Sequence, residues 1–515
     1  MAHVIPHPAA SSATSAALDS AHLGNIVGAM GTIRVGDIAT RKTFGHRLRT
    51  LLAILGPGLI VMVSDNDAGA FGTYTQAGQN YGTALMWTLL LLVPVLYINQ
   101  EMVLRLGAVT GVGHGRLIFE RFGKFWGAFS VIDLFALNAL TIVTEFIGIS
   151  LGLDYFGVNK CLGISIAALI IMAAASTGNF RRFERFSLVL VLGSLLLVPV
   201  IVMVHPPVGQ MANDFFIPKL PIGSKLNEVM LLIIAIVGTT VAPWQLFFQQ
   251  SYVIDKRITP RFIRYERVDL WIGIVLVIIG GVAMMGFAAH TFAGKPEFGN
   301  FADAGAVAAG MEKYFGRLPA VLFAIALIDA CVIGASAVLL SMAYALGDVL
   351  SVRHSLHRKP TEAKIFYALY FGLIIVAAGL VLTPGTPLGL LTNLVQTLAG
   401  VLLPSATVFL LLLFPSISEW QILGLLGGGT ALGVMIALGV KAFERRIGVS
   451  AQDEPPLDLG LRDSWRMPAL HQLAPARITL LNKVWMLVLR GYLVIAAGLL
   501  LFKLFQLATA GALAA

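Results

Sequence analysis

The sequence predicts an all-α polytopic membrane protein of about twelve transmembrane helices, and three observations predict it. Mean hydropathy is +0.84, with 57% hydrophobic and only 12% charged residues, a balance no soluble domain of 515 residues carries. Apolar windows of about 20 residues recur along the whole chain, each long enough to cross a hydrocarbon core of about 30 Å. Two of these windows are interrupted by helix-breaking residues, at corresponding places in two halves of the chain.

Taken in order, residues 1–45 are rich in Ala, Ser and His and lack an apolar core. They read as a disordered cytoplasmic tail rather than a signal sequence, with His3 and His7 solvated. The spans follow at 51–66 with 69–82, 84–104, 127–153, 161–175, 186–204, 228–241 with 243–254, 268–291, 319–347, 365–383, 388–414, 420–440 and 483–507. This divides the chain into the tail and a transporter core over 46–415. The core holds two repeats, 51–204 and 228–414. A C-terminal part, 416–515, adds spans 11 and 12 around a loop at 441–482. Cys161 and Cys331 lie in apolar stretches and read as small hydrophobic residues, not as a disulfide or metal ligands.

The net charge of +9 is distributed unevenly. Up to span 10, one set of loops and the tail carries twenty-one Lys and Arg. The opposite set has only Lys160, Lys219, Lys225, Lys295, Lys313 and Arg317. The N-terminus is therefore expected in the cytoplasm, and the chain in a bacterial inner or plasma membrane. The 441–482 loop departs from this rule: it should be external, yet it carries Lys441, Arg445, Arg446, Arg462, Arg466 and Arg477.

Span 1 runs through Gly56-Pro57-Gly58 into Ser64-Asp65-Asn66-Asp67-Ala68-Gly69-Ala70. A carboxylate at bilayer depth is costly unless it faces a cavity, a partner or an ion. Unwinding around Gly69 would offer bare carbonyls to that ion. Span 6 is interrupted near Thr239-Thr240-Val241-Ala242-Pro243-Trp244, where Pro243 removes a helical N–H. The two breaks lie five spans apart, so the second half is inserted upside down relative to the first. Paired breaks in inverted halves point to a transporter's central site.

These residues resemble the NRAMP divalent-metal transporters. The resemblance rests on Gly56-Pro57-Gly58, on Asp67-Ala68-Gly69-Ala70 and on Thr73 to Gly82. Arg105 to Gly111, Glu145-Phe146-Ile147-Gly148, Phe180 to Glu184 and Val241-Ala242-Pro243 add to it. It covers roughly residues 50–415 and implies a LeuT-like fold, a 5+5 inverted repeat with helices 1 and 6 broken. Against the family's Asp-Pro-Gly-Asn, Asp67 and Gly69 remain, while Ala68 replaces the Pro and Ala70 the metal-binding Asn. Against its Met-Pro-His, Ala242 replaces the Met and Trp244 the His. In span 3 the family's Asp falls on Ile142 and its Glu on Glu145. Gln396 matches a family Gln near the ion, an alignment carried by Pro404. Such a pattern resembles the NRAMP-related magnesium transporters.

The substituted positions have a chemical meaning. A thioether favours soft transition metals, and Ala242 lacks one. What remains is oxygen: the Asp67 carboxylate, Asn66 or Asp65, the Gln396 amide and the freed carbonyls of Ser64 and Thr239. An enlarged, carboxylate-poor oxygen site suits Mg2+, which keeps part of its water shell, and still admits Mn2+. Asp65 and Asn66 have a bland reading too, as helix-break residues. With Trp244 and Ile142 at the family's His and Asp positions, and no ionisable side chain but Tyr from Ile365 to Thr383, proton coupling is expected to be weak or absent. Glu145 keeps a proton route open, in second contact with the ion or as a proton carrier.

Two other readings keep the fold: a proton-coupled Mn2+/Fe2+ transporter, and a carrier of small amines or amino acids. An intramembrane enzyme is not expected, because no metalloprotease helix motif, paired protease Asp motif or nucleotide loop is present; Gly427-Gly428-Gly429 lacks the Lys-Ser/Thr of a phosphate loop. The expected partners are a divalent cation as cargo and the lipid bilayer, with no cofactor, nucleotide or nucleic acid. Glu101 and Arg105, four residues apart, are expected to pair on one helix face. Asp133 and Asp329 are expected either in a vestibule or held by a neighbouring hydroxyl or amide.

Overall fold

A computed structural model describes residues 19–383 except residue 222, together with Val395, Met467 and Pro468. Apart from those last three residues, spans 10–12 and the 441–482 loop lie outside the described residues, as do Gln396, Pro404, the triple glycine and residues 1–18.

Nine of the expected spans fall inside them. The first is built from α1 (Phe44–Ile54), α2 (Pro57–Val63) and α3 (Ala68–Tyr81). Then come α4 (Trp87–Thr110), a short α5 (His114–Phe122), α6 (Lys124–Tyr155) and α7 (Lys160–Ala175). Span 5 is α8 (Phe180–Gly193) joined through a 3-10 turn to α9 (Leu197–Val204), followed by α10 (Val208–Phe216). Span 6 is α11 (Leu226–Thr240) and α12 (Pro243–Asp255). After α13 (Ile263–Phe292) come α14 (Ala304–Phe315), α15 (Arg317–Leu350) and α16 (Lys364–Leu382). Among the described residues, seven spans are each long and apolar enough to cross a membrane, and α1 with α2, bent by 53°, makes an eighth. Span 4 is shorter: 16 residues reach about 24 Å at 1.5 Å per residue.

The helices meet where glycine lets backbones approach, the usual membrane substitute for hydrophobic collapse. Facing α13, Gly58 of α2 has no room for a side chain, since a Cβ there would lie 2.6 Å from the Leu270 backbone. Just before α2, Gly56 bends the chain at φ +154°, a conformation open to glycine alone. The Asp269 carboxylate of α13 accepts from Gly56 N–H (3.1 Å), Gly58 N–H (2.7 Å) and Leu59 N–H (3.3 Å), which caps the free donors of α2. α2 packs on α12 and α3 on α11, so the two interrupted spans lie side by side with their breaks adjacent. Glu101 pairs with Arg105 (2.5 Å) as its spacing predicts, and also with Arg267 of α13 (2.6 Å).

The structure corrects three expectations. Residues 19–45 are not a disordered tail. They hold a 3-10 turn (Ser20–His22) and a hairpin of β1 (Ile26–Gly28) and β2 (Gly31–Ile33), with Ile26 opposite Ile33. Local composition hides this because the ordering partners lie about 150 residues away, in Arg181 and Arg185. Gly69 is not the point of breakage either; it is the second residue of α3. The break is Ser64–Asp67, and Asp67 restarts the helix. Finally, α5, α10 and α14 were not expected: each is short and lies in a connection.

Candidate ion site between two interrupted helices

On the first span, helical hydrogen bonding stops at Ser64, whose N–H still reaches Ile60 O at 2.9 Å. Asp65 N–H and Asn66 N–H reach back only three residues, to Met62 O (3.3 Å) and Val63 O (3.1 Å). Asp67 then adopts extended backbone, and its Oδ1 accepts from Ala70 N–H at 3.0 Å, an N-cap for α3. Ala68 N–H, the next free donor, goes to Glu145 Oε2 of α6 at 3.2 Å. Two carboxyl groups therefore cover the positive end of one helix.

Gly334 of α15 makes their closeness possible. A Cβ there would lie 3.0 Å from Asp67 Cβ and 3.0 Å from Glu145 Oε2. Cys331, one turn earlier, places its thiol beside Glu145. It is a buried free cysteine, whereas Cys161 is exposed, and neither forms a disulfide. Glu145 Oε1 is buried without a partner.

On span 6, Pro243 is the first residue of α12 and Ala242 is extended. The Thr239 carbonyl, which would bond to the N–H four residues on, meets Pro243 instead and has no helical donor. Thr239 Oγ1 is also buried and unpartnered. Thr240 Oγ1, by contrast, meets Tyr74 OH of α3 at 2.7 Å.

Gln245 ties the two breaks together. Its Nε2 donates to Asp65 Oδ1 and to Thr240 O (3.2 Å), while its Oε1 accepts from Gln100 Nε2 (3.0 Å). Sequence reasoning missed Gln245, Gln100 and Tyr74. The available signal was polar side chains inside apolar spans, which are expensive there and need a reason.

The expected site residues are thus placed as follows. Ser64, at the end of α2, is fully buried with Oγ unpartnered. Asp65 faces Gln245 and keeps Oδ2 unpartnered. Asn66 turns the other way, its Nδ2 to Val277 O of α13 at 3.4 Å and its Oδ1 without a partner. Asp67 faces Glu145. Ala70 and Ala242 are buried and small. Trp244 is buried, edge-on to Phe248 at 6.2 Å, with its carbonyl accepting from Ser341 Oγ at 3.0 Å. Ile142 is buried. Asp329 lies against the backbone of Gly193 in α8, and its Oδ2 has no partner among the described residues. Among the described residues no three His, Cys, Asp or Glu side chains are grouped as a metal cage. What gathers at the breaks is one carboxyl pair, a third carboxylate held by an amide, and neutral oxygens lacking donors.

Known proteins resemble the chain in sequence and in fold. The family model of natural resistance-associated macrophage protein-like proteins, Nramp, matches residues 58–439. The divalent metal cation transporter MntH of Pectobacterium carotovorum is 26% identical over 57% of this chain and 72% of its own. That of Erwinia tasmaniensis is 28% identical over 54% and 68%. A crystal structure of the Eremococcus coleocola manganese transporter superposes with a TM-score of 0.57 at 18% identity, over 91% of this chain and 97% of that one. A variant of the same transporter gives 0.58 over 95% and 98%. The fold is accordingly that of the LeuT-like transporters, and the chain belongs to the Nramp family.

Proposed function

We propose that this protein carries divalent metal cations, Mg2+ and/or Mn2+, across a bacterial inner membrane through a hard, oxygen-only site. The observation that carries the reading is the pair of adjacent breaks. Asp67 sits at one, with Asp65 Oδ2 and Ser64 Oγ unpartnered beside it, and at the other lie the unpartnered Thr239 hydroxyl and the Thr239 carbonyl, to which Pro243 cannot donate. Buried oxygens without donors are costly. A cation that accepts their lone pairs removes that cost whenever it occupies the site.

Each residue has a part. Asp67 supplies charge, Asp65 a second carboxylate oriented by Gln245, and Ser64 and Thr239 neutral oxygens. Asn66 contributes through its backbone carbonyl, since its side chain points to α13. Gln396 is assigned an amide oxygen from the family pattern alone. Ala70 and Ala242 leave room for ion-bound water, and Ala242 removes the soft donor that would favour transition metals. Entry needs no nucleotide: a cytoplasm-negative potential drives a cation inward by about 2.3 kcal/mol per charge per 100 mV. The relatives named as divalent-metal and manganese transporters support the cargo class.

Proton coupling is proposed to be weak, because Trp244 and Ile142 stand where a relay would need titrating groups. One observation favours the second reading, a proton-coupled Mn2+/Fe2+ transporter: Glu145 shares the N-terminus of α3 with Asp67, its Oε2 accepting from Ala68 N–H at 3.2 Å and its Oε1 buried without a partner, so a carboxyl able to carry a proton stands beside the ligand. Uptake into proteoliposomes, with Mg2+, Mn2+ and Ca2+ competing and internal pH recorded, tests both. The proposal expects metal entry with little acidification. Stoichiometric acidification would establish the second reading, and uptake of amines but of no metal would overturn both.

A further inference from the structure

The hairpin of residues 26–33 sits on the face where Lys and Arg are concentrated, at the start of the first span. The hairpin and the segment leading into it, residues 19–25, are held by side chains from three other elements. From α8, Arg181 donates to Gly28 O (3.0 Å) and Arg185 to Ala29 O (2.9 Å). From the loop after α12, Arg257 donates to Ala21 O (2.9 Å) and Asn25 O (3.1 Å). Arg257 does so from a left-handed conformation (φ +66°), which non-glycine residues rarely adopt. From the loop after α15, Arg358 pairs with Asp19 at 2.6 Å.

The hairpin in turn bears on the gate half of the first span. A Cβ on Gly28 would lie 1.9 Å from Ala53 O, and one on Gly31 2.8 Å from Ala53 Cβ, so both glycines are pressed against α1. Ala29 N–H donates to Glu184 Oε2. The other oxygen of Glu184 pairs with Lys256 Nζ at 2.6 Å, and that ion pair is fully buried. Lys256 Nζ also donates to Ile54 O (2.5 Å) and Leu55 O (2.9 Å), the carbonyls at the bend between α1 and α2. One uninterrupted line of polar contacts thus runs from the hairpin turn through Glu184 and Lys256 to the α1–α2 bend. Nothing else in the transport chemistry uses these groups.

We propose that residues 19–37 form a latch that pins α1–α2 against spans 5 and 7, and that its release lets the ion leave the breaks toward this face. A half-helix can gate only if its anchors are reversible, and every anchor named here is non-covalent. The hairpin completes the coordination of Glu184, so undocking leaves a buried carboxylate oxygen without a donor and loosens the Lys256 grip on the bend.

Two variants test this. Removal of residues 1–36 is expected to raise hydrogen exchange across 44–63 in detergent by about tenfold or more, to leave α6 and α15 unchanged, and to alter the rate of Mn2+ uptake several-fold. Unchanged exchange and uptake would overturn the proposal. The second variant, Gly31→Cys with Ala53→Cys in a Cys161→Ser background, locks the latch reversibly and does not depend on the truncated chain folding. A small shift brings the 2.8 Å separation to the ~3.8 Å of a disulfide. Oxidation is expected to cut Mn2+ uptake at least about fivefold, with recovery on reduction. Equal uptake in the oxidised and reduced states would overturn the proposal while leaving the ion site untouched; loss of Mn2+ binding in both states would instead count against the site.

Discussion

Replacing Asp67 by Asn separates the two jobs of this side chain. As N-cap of α3 it needs only an oxygen toward Ala70 N–H, now 3.0 Å away, and Asn provides one. As ion ligand it needs its charge, and Asn has none. Stability should therefore stay within about 0.5 kcal/mol of the native chain, whereas Asp67→Ala, which removes the cap, should cost about 1 kcal/mol. A contact to a charged group contributes about 1.5–3 kcal/mol. At 1.4 kcal/mol per decade, Asp67→Asn should weaken Mn2+ or Mg2+ binding about 10- to 150-fold. Titration calorimetry in detergent gives the affinities, and thermal melts of the same samples give the stabilities. Binding by Asp67→Asn within about twofold of native would refute the assignment. So would a stability loss as large as that of Asp67→Ala, since the cap argument would then be wrong.

Other substitutions follow from the same geometry. Ala242→Met restores a thioether at the second break and should shift preference from Mg2+ toward Mn2+ or Cd2+ by about tenfold, ~1.4 kcal/mol, in competitive uptake; an unchanged ranking contradicts the soft-donor argument. Lys256→Met strands Glu184 and should destabilise the fold by about 3–5 kcal/mol, while adding Glu184→Leu should recover most of the loss in a thermal melt. Latch docking should also depend on pH. Burial, helped by the neighbouring His354 imidazole, holds the His22 imidazole below its ordinary 6.5 despite Asp255, Asp348 and Asp19 around it, so its contribution is present above pH 6.5 and lost below. Burial alone would also lower His354, but the Asp348 carboxylate at 3.0 Å, with the Val352 carbonyl and Asp19, pushes it up to about 9. That contribution is complete below pH 6.5 and fades as pH rises through about 9. Protease resistance of residues 19–37 should accordingly be greatest close to neutrality and fall on both sides; a flat profile from pH 5 to ~10 would contradict both assignments.

Much of this was legible because the decisive features are local. Pro243 cannot donate, so the second break follows from one residue. Asp67 announces the first break because a carboxylate caps a helix readily and sits in lipid poorly. Span limits follow from hydropathy and basic loops, and those of the nine described spans hold to within several residues. What stayed hidden is non-local. The direction of Asn66 is set by the Val277 carbonyl, 211 residues away. The hairpin depends on guanidinium groups from α8 and on glycines matched to Ala53, and a stretch of Ala, Gly and polar residues shows none of that. Gln245 stood in plain sight beside Trp244, but a glutamine acquires meaning only when Asp65 and Gln100 converge on it. Gly69 misled for the opposite reason: its flexibility suggests a break that the Asp67 cap makes unnecessary.

A hard cation held by oxygens between the two breaks would be visible in a metal-bound crystal. The most direct measurement is a crystal structure grown with Mn2+ and examined for anomalous scattering. A single strong peak is expected between the Asp67 carboxylate and the Thr239 carbonyl, with water completing the ion's shell. A peak elsewhere in the membrane-embedded part, or one ligated by the Cys331 sulfur, would contradict it.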